Sequence, residues 1–290
     1  MIRRFSFLAL TLLVTASSVA AAEDEGSVFM WKAQKDGAAV YLLGSVHALK
    51  QESYPLPEVI EAAFDSSAVV VFEIDLDEMT SKAVQMLEAG SLQDGQTLEQ
   101  VVGPDMWSRF STKMNAAGMP SGMFQFMEPW MAALTLTSFE LEKAGYSAAS
   151  GIDSHFWNRA GEAGKQRLAL ETVEFQIGLF AELTPEQSLE FLAFTIADLE
   201  TIIPLMEELA TSWREGNVAY VQDVTVSEFD EYPDLYERLN SARNRAWMPA
   251  IEELLAGPRD AMVIVGAMHL VGEDGIVEML RQRGYTVTQL

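Results

Sequence analysis

Two short apolar runs, one near each end of the chain, interrupt the hydrophobic pattern in the same way. AVYLLGSVH at 39–47 and AMVIVGAMH at 261–269 each carry five apolar residues into a glycine, Gly44 or Gly266, with a histidine three positions later, His47 or His269. Unbroken runs of this kind read as strands covered on both faces, and the glycine as a point where the backbone turns sharply. Each His then lies just beyond a strand's C-terminal end, where open α/β sheets gather their ligands. With three His and 19 Gly in the chain, composition alone would produce such a pair roughly once in eighty sequences. Two further runs end on acids: residues 68–72 lead into Glu73, and residues 166–170 lead into Glu171.

Elsewhere the period is mostly helical. Residues 28–33 and 38–43 predict a strand pair across a turn at 34–37, with Gly37 supplying positive φ. A helix is expected over 57–64 and a helical stretch from 79 to 145, in which Thr97 and Gln100 form a capping box. Residues 123–143 read as a long apolar helix interrupted at Glu128 and Pro129. Gly151-Ile152-Asp153 opens the next helix, with Asp153 as its N-cap. Helices follow over 174–183, 185–198 (capped by Thr184), 202–214, from Gly216, and over 233–255 with a kink at Pro249. A helix over 272–281 stopped by Gly284 and a strand over 285–289 complete the chain. The expected architecture is α/β: a central mixed or mostly parallel sheet built from N- and C-terminal strands, with a large helical middle. It is expected as a single domain over 23–290 with helical insertions at about 79–150 and 174–256.

Composition adds compartment and excludes partners. Arg3 and Arg4, an apolar stretch over 5–14 and Ala20-Ala21-Ala22 predict a signal peptide over 1–22, hence a periplasmic or secreted protein with no stable membrane anchor after cleavage. The formal charge of −24 repels phosphate backbones, so nucleic acid is not an expected partner. There is no Cys, so thiolates are excluded as nucleophiles or ligands. A bound metal would have His and oxygen ligands, which favours a divalent ion such as Mn, Co or Zn. Phe110, Met114, Met119, Met123, Phe124, Phe126, Met127, Trp130 and Met131 form either core or a groove for an apolar or peptide substrate.

The chemistry-bearing constellation is His47 and His269 with Glu73 and Glu171. His155 lies in the first turn of the helix that Asp153 opens, where the macrodipole keeps an imidazole neutral and able to ligate a metal or accept a proton. Arg243-Asn244-Arg245 reads either as surface ion pairs or as a clamp for an anion or carbonyl.

Taken together, Tyr41 to His47, Phe72-Glu73-Ile74-Asp75, Gly151-Ile152-Asp153, Leu170-Glu171-Thr172, Arg243-Asn244 with Trp247, and Gly266 to Gly272 resemble the TraB/GumN family, which is related to the Tiki proteases. That resemblance covers nearly the whole chain after residue 22. It implies an α/β fold shared more distantly with erythromycin esterases and haem-binding ChaN proteins, and metal-dependent peptidase activity in some members. It also implies His47, Glu73 and His269 as core polar residues, with Glu171, Arg243 and Asn244 as companions. The leading expectation is an exported metal-dependent hydrolase, a peptidase, with His47, Glu73, His269 and more loosely His155 on the metal. In that scheme Glu171 or His155 takes a proton and Arg243 stabilises the carbonyl oxygen. One alternative is a metal-free hydrolase in which His47 is the base, oriented by Glu73. The other is a non-catalytic periplasmic protein that binds a peptide or haem.

Overall fold

A computed structural model describes residues 27–35, 37–229 and 232–290, so the expected signal peptide over 1–22 lies outside the described residues. The six strands are β1 (Met30–Gln34), β2 (Val40–Ser45), β3 (Val69–Phe72), β4 (Gln166–Ala169), β5 (Ala261–Gly266) and β6 (Thr286–Gln289). They form one sheet in the order β4-β3-β5-β2-β1-β6. β4, β3, β5 and β2 run parallel, while β1 pairs antiparallel with both β2 and β6. Most of the sheet is therefore parallel and the whole is mixed, as the apolar runs require. β3, β5 and most of β2 are buried throughout, whereas β4 is a largely exposed edge.

This order carries the two matched runs from opposite ends of the chain into neighbouring positions. β2 and β5 pair with Leu43 against Ile264 and Ser45 against Gly266, so the two His-bearing loops leave the sheet side by side. β3 flanks β5 on its other side, with Phe72 against Ile264, and delivers Glu73 to the same edge. The Glu171 N–H donates to the Glu73 carbonyl at 2.9 Å, extending the ladder past β4.

The glycines at these strand ends serve close approach. Gly44 lies within β2, and a Cβ there would stand 2.4 Å from the Phe29 ring. Gly266 has φ −48°, ordinary for any residue, and what it leaves open is space toward the site. Gly37 likewise accommodates the Leu255 carbonyl, 2.4 Å from where a Cβ would sit.

The helical middle departs from the sequence pattern in physically clear places. The stretch read as one helix over 123–143 is a 3-10 turn, Ser121–Phe124, followed by a separate helix, Pro129–Lys143, because Pro129 lacks the N–H needed to continue a helix and suits its first turn. Phe110, Met114, Phe124 and Leu136 pack with Leu192 and Ile196 into a core of their own, so most of the Met and aromatic run is core. The helix expected over 233–255 contains a π-helical segment, Glu237–Ser241, before its main part, Ala242–Ala256. That later part packs Trp247, Met248, Ile251 and Leu255 into the main core beside β2 and β5. No described helix is long and apolar enough to cross a membrane.

Candidate active site

His47 leaves β2 on a loop held by backbone bonds to a distant segment. Leu49 and Ser147 exchange N–H and carbonyl bonds, and the Ile152 N–H donates to the Val46 carbonyl. Gly151 makes this docking possible, since a Cβ there would lie 2.1 Å from the His47 carbonyl oxygen. Gly151, and not Asp153, is therefore the N-cap of the helix Ile152–Glu162. Asp153, freed from capping, turns its carboxylate to His47 Nδ1 at 2.8 Å. Ser45 Oγ lies 3.4 Å from the same nitrogen. The partner that orients His47 is thus Asp153 and not Glu73. The His47 side chain is 68% exposed, and its Nε2 points inward: a Cβ on Gly266 would stand 3.3 Å from His47 Nε2, 3.3 Å from Glu73 Oε1 and 3.5 Å from His269 Cδ2. Both histidines and Glu73 therefore meet around the Gly266 Cα.

Behind that point lies a buried network centred on Arg243, whose side chain is 7% exposed. Its Nε donates to Glu171, one terminal nitrogen to the Leu239 carbonyl at 3.0 Å and His269 Nε2 at 3.1 Å, and the other to Glu73 Oε2 at 2.5 Å and Glu171 Oε2 at 2.9 Å. All five guanidinium N–H groups are engaged, so Arg243 is neither a surface ion pair nor a free carbonyl clamp. Arg245 is the surface partner, paired with Glu237. Glu171 is equally occupied, accepting also from Trp247 Nε1 at 2.9 Å and Gln176 Nε2 at 3.3 Å, which leaves it no free lone pair with which to act as a base. The π-helical segment shifts the register of the helix just before Arg243, and such bulges recur where a side chain must be re-aimed into a site.

The tautomer of His269 follows from its neighbours. Asn244 Nδ2 donates to the carbonyls of Asp274 at 2.8 Å and His269 at 3.3 Å, so its Oδ1 faces His269 Nδ1 at 2.7 Å. Nδ1 carries the proton and Nε2 accepts from Arg243. Burial lowers the His269 pKa to about 3 against the opposing pull of Glu73, and the ring is neutral at neutral pH. Burial pushes the Glu73 carboxyl up, but the neighbouring His269 ring, the Arg243 and His47 charges and the Gly266 N–H at 2.7 Å outweigh that and hold it below the usual carboxylate range. Since His269 is neutral, Arg243 is the buried positive charge that keeps Glu73 ionised. The Asp153 carboxylate raises His47 to about 9, although the exposure of the ring lets water screen the pair.

A divalent ion fits this donor set poorly. His269 Nε2 and both Glu171 oxygens already accept from Arg243, which leaves His47 Nε2 and the one lone pair of Glu73 Oε1 that the Gly266 N–H does not use. Among the described residues no three His or acidic side chains form a shared ligand set. His155 stands apart. Its ring packs against Tyr54 at 4.7 Å and Phe156 at 4.9 Å, and its Nε2 is 4.0 Å from Glu61. The reading of the chain alone passed over Gln176, which donates to Glu73 Oε2 at 2.9 Å, and Gly151 as a contact glycine. It also passed over Asn240, fully buried one helical turn before Asn244. The paired Asn at i and i+4 around Arg243 was the visible signal.

The uncharacterized protein YbaP of Escherichia coli K12 is 26% identical over 242 residues, 83% of this chain and 87% of that protein, and YbaP of Shigella flexneri matches to the same extent. Metalloprotease TIKI1 of Danio rerio is 22% identical over 315 residues, 89% of this chain and 62% of that protein. No solved structure matches. The model of the TraB/PrgY/gumN family matches residues 29–289, from the residue before β1 to the end of β6, and this chain belongs to that family.

Proposed function

We propose that this protein is an exported hydrolase of peptide-like substrates in which His47 is the general base. The observation that carries the proposal is the exposed His47 ring. One nitrogen is held by Asp153, and the other faces Glu73 across Gly266, at the edge of a cavity of about 320 Å³. In its neutral form His47 Nε2 takes a proton from a water held between it and Glu73 Oε1. The water oxygen bonds to the substrate carbonyl carbon, the C–N bond breaks, and the proton passes from His47 to the leaving nitrogen. Asp153 keeps the second proton on Nδ1 and so leaves Nε2 free as the acceptor. Glu73, Glu171, Arg243 and His269 fix the geometry behind the reacting water and exchange no proton with it.

The name of the TIKI1 relative supports peptide hydrolysis and also raises a metal. On this chain the saturated Arg243 favours the metal-free reading. Hydrolysis of a peptide library by protein dialysed against EDTA, with its metal content measured, tests this. Turnover that survives chelation is expected. Turnover abolished by chelation and restored by Mn, Co or Zn would replace it with a metal-dependent mechanism. Export rests on residues 1–22, and a mature N-terminus at Glu23 in the extracytoplasmic fraction would support it.

A further inference from the structure

The cavity against His47 is lined by two unlike sets of side chains: Ile74, Leu76 and Met79 give an apolar wall, and Ala148 and Ser154 contribute small side chains. The apolar wall is firmly backed. Ile74 packs with Val173 and Ile177 in a cluster that Leu76, Met79 and Met86 join, so the wall rests on the helix Val173–Ala181. At about 320 Å³ the space lies at the small end of ligand cavities, enough for one or two residues of a substrate.

Charge decides what kind of residue that is. The charged groups lining the cavity are His47, Glu73 and Asp153, with no lysine or arginine among the described lining residues. Asp153 is taken by His47, and Glu73 by Arg243, Gln176 and the Gly266 N–H. An acidic substrate side chain would face two carboxylates, and the one cation lining the cavity, the protonated His47 ring, is already paired with Asp153 and must lose its charge to act as the base. A basic one would find both carboxylates already paired and would lose its hydration against Leu76 and Met79. We infer that this cavity receives an apolar side chain on a residue flanking the scissile bond, and that Leu76 and Met79 set the preference. The inference rests on the hydrolase reading and adds the substrate class to it.

The test is kcat/KM for wild-type protein on fluorogenic peptides that vary one flanking residue at a time among Ala, Leu, Phe, Lys and Asp. At one of the two flanking positions Leu and Phe are expected to exceed Lys and Asp by about tenfold or more. Met79→Asp should lower the Leu-to-Lys ratio by at least about tenfold, a change that a general loss of stability would not produce. Ala148→Trp, at an exposed lining position, provides a second variant and should disfavour Phe peptides relative to Ala peptides. Cleavage of every peptide at similar rates, or ratios unmoved by both variants, overturns the inference while leaving the hydrolase reading in place. Cleavage of none of the peptides overturns that reading and this inference with it.

Discussion

An imidazole that takes a proton from water must be neutral when it does so, and Asp153 favours the charged form of His47. Its carboxylate, 2.8 Å from Nδ1, raises the ring to about 9 from 6.5. Activity carried by the neutral ring is therefore expected to climb with pH through the neutral range and to level off only above it. Asp153→Asn removes the charge that holds the proton and moves the apparent pKa of kcat/KM down towards 6.5, while lowering the plateau because the tautomer is no longer enforced. A pH–rate profile of the two proteins checks this, and an unmoved apparent pKa in the variant would dissociate Asp153 from the base. The sign for stability runs the other way. A pKa raised on folding stabilises the protein fully below about 6.5, and that contribution is lost as pH rises through about 9. With 68% of the side chain exposed, the contribution is small.

At the level of elements, the helical run 233–256 contributes more than packing. Its π-helical segment Glu237–Ser241 and the residues just after it insert Arg243 between two strand-end carboxylates and Asn244 against His269. Arg243→Met would leave Glu73 and Glu171 buried without their cation and is expected to cost about 3–5 kcal/mol. Urea unfolding at neutral pH measures that loss, and a variant as stable as wild type would show that the network is not what holds these elements together. The strands that carry Glu73 and the two histidines were legible in the sequence because a both-faces-buried strand has an unbroken apolar signature, and so was the polar set at their ends; β4, an exposed edge beginning Gln166-Arg167, carries no such signature and was legible only from the acid that follows it. The partner of His47 was not. Asp153 in a Gly-Ile-Asp segment looks like a helix cap, and only the approach of Gly151 to the His47 carbonyl oxygen shows that the cap lies two residues earlier. The saturation of Arg243 was equally hidden, since a guanidinium in an acidic chain reads the same whether its partners are buried or solvated.

For the molecule as a whole, the sheet order assembles the site. β5 lies between β2 and β3, so a histidine at 47, another at 269 and a glutamate at 73 converge although more than two hundred residues separate the first two. Behind them a buried charge network fixes geometry, and in front a single exposed imidazole meets the cavity. This division puts the proposed chemistry on one exposed residue, outside the core. The most direct measurement is kcat/KM of His47→Gln against wild type on a cleaved peptide, with the melting temperatures of both. A fall of about 10²–10⁴-fold at an unchanged melting temperature is predicted. Activity within about twofold of wild type would contradict the assignment of His47 as the base.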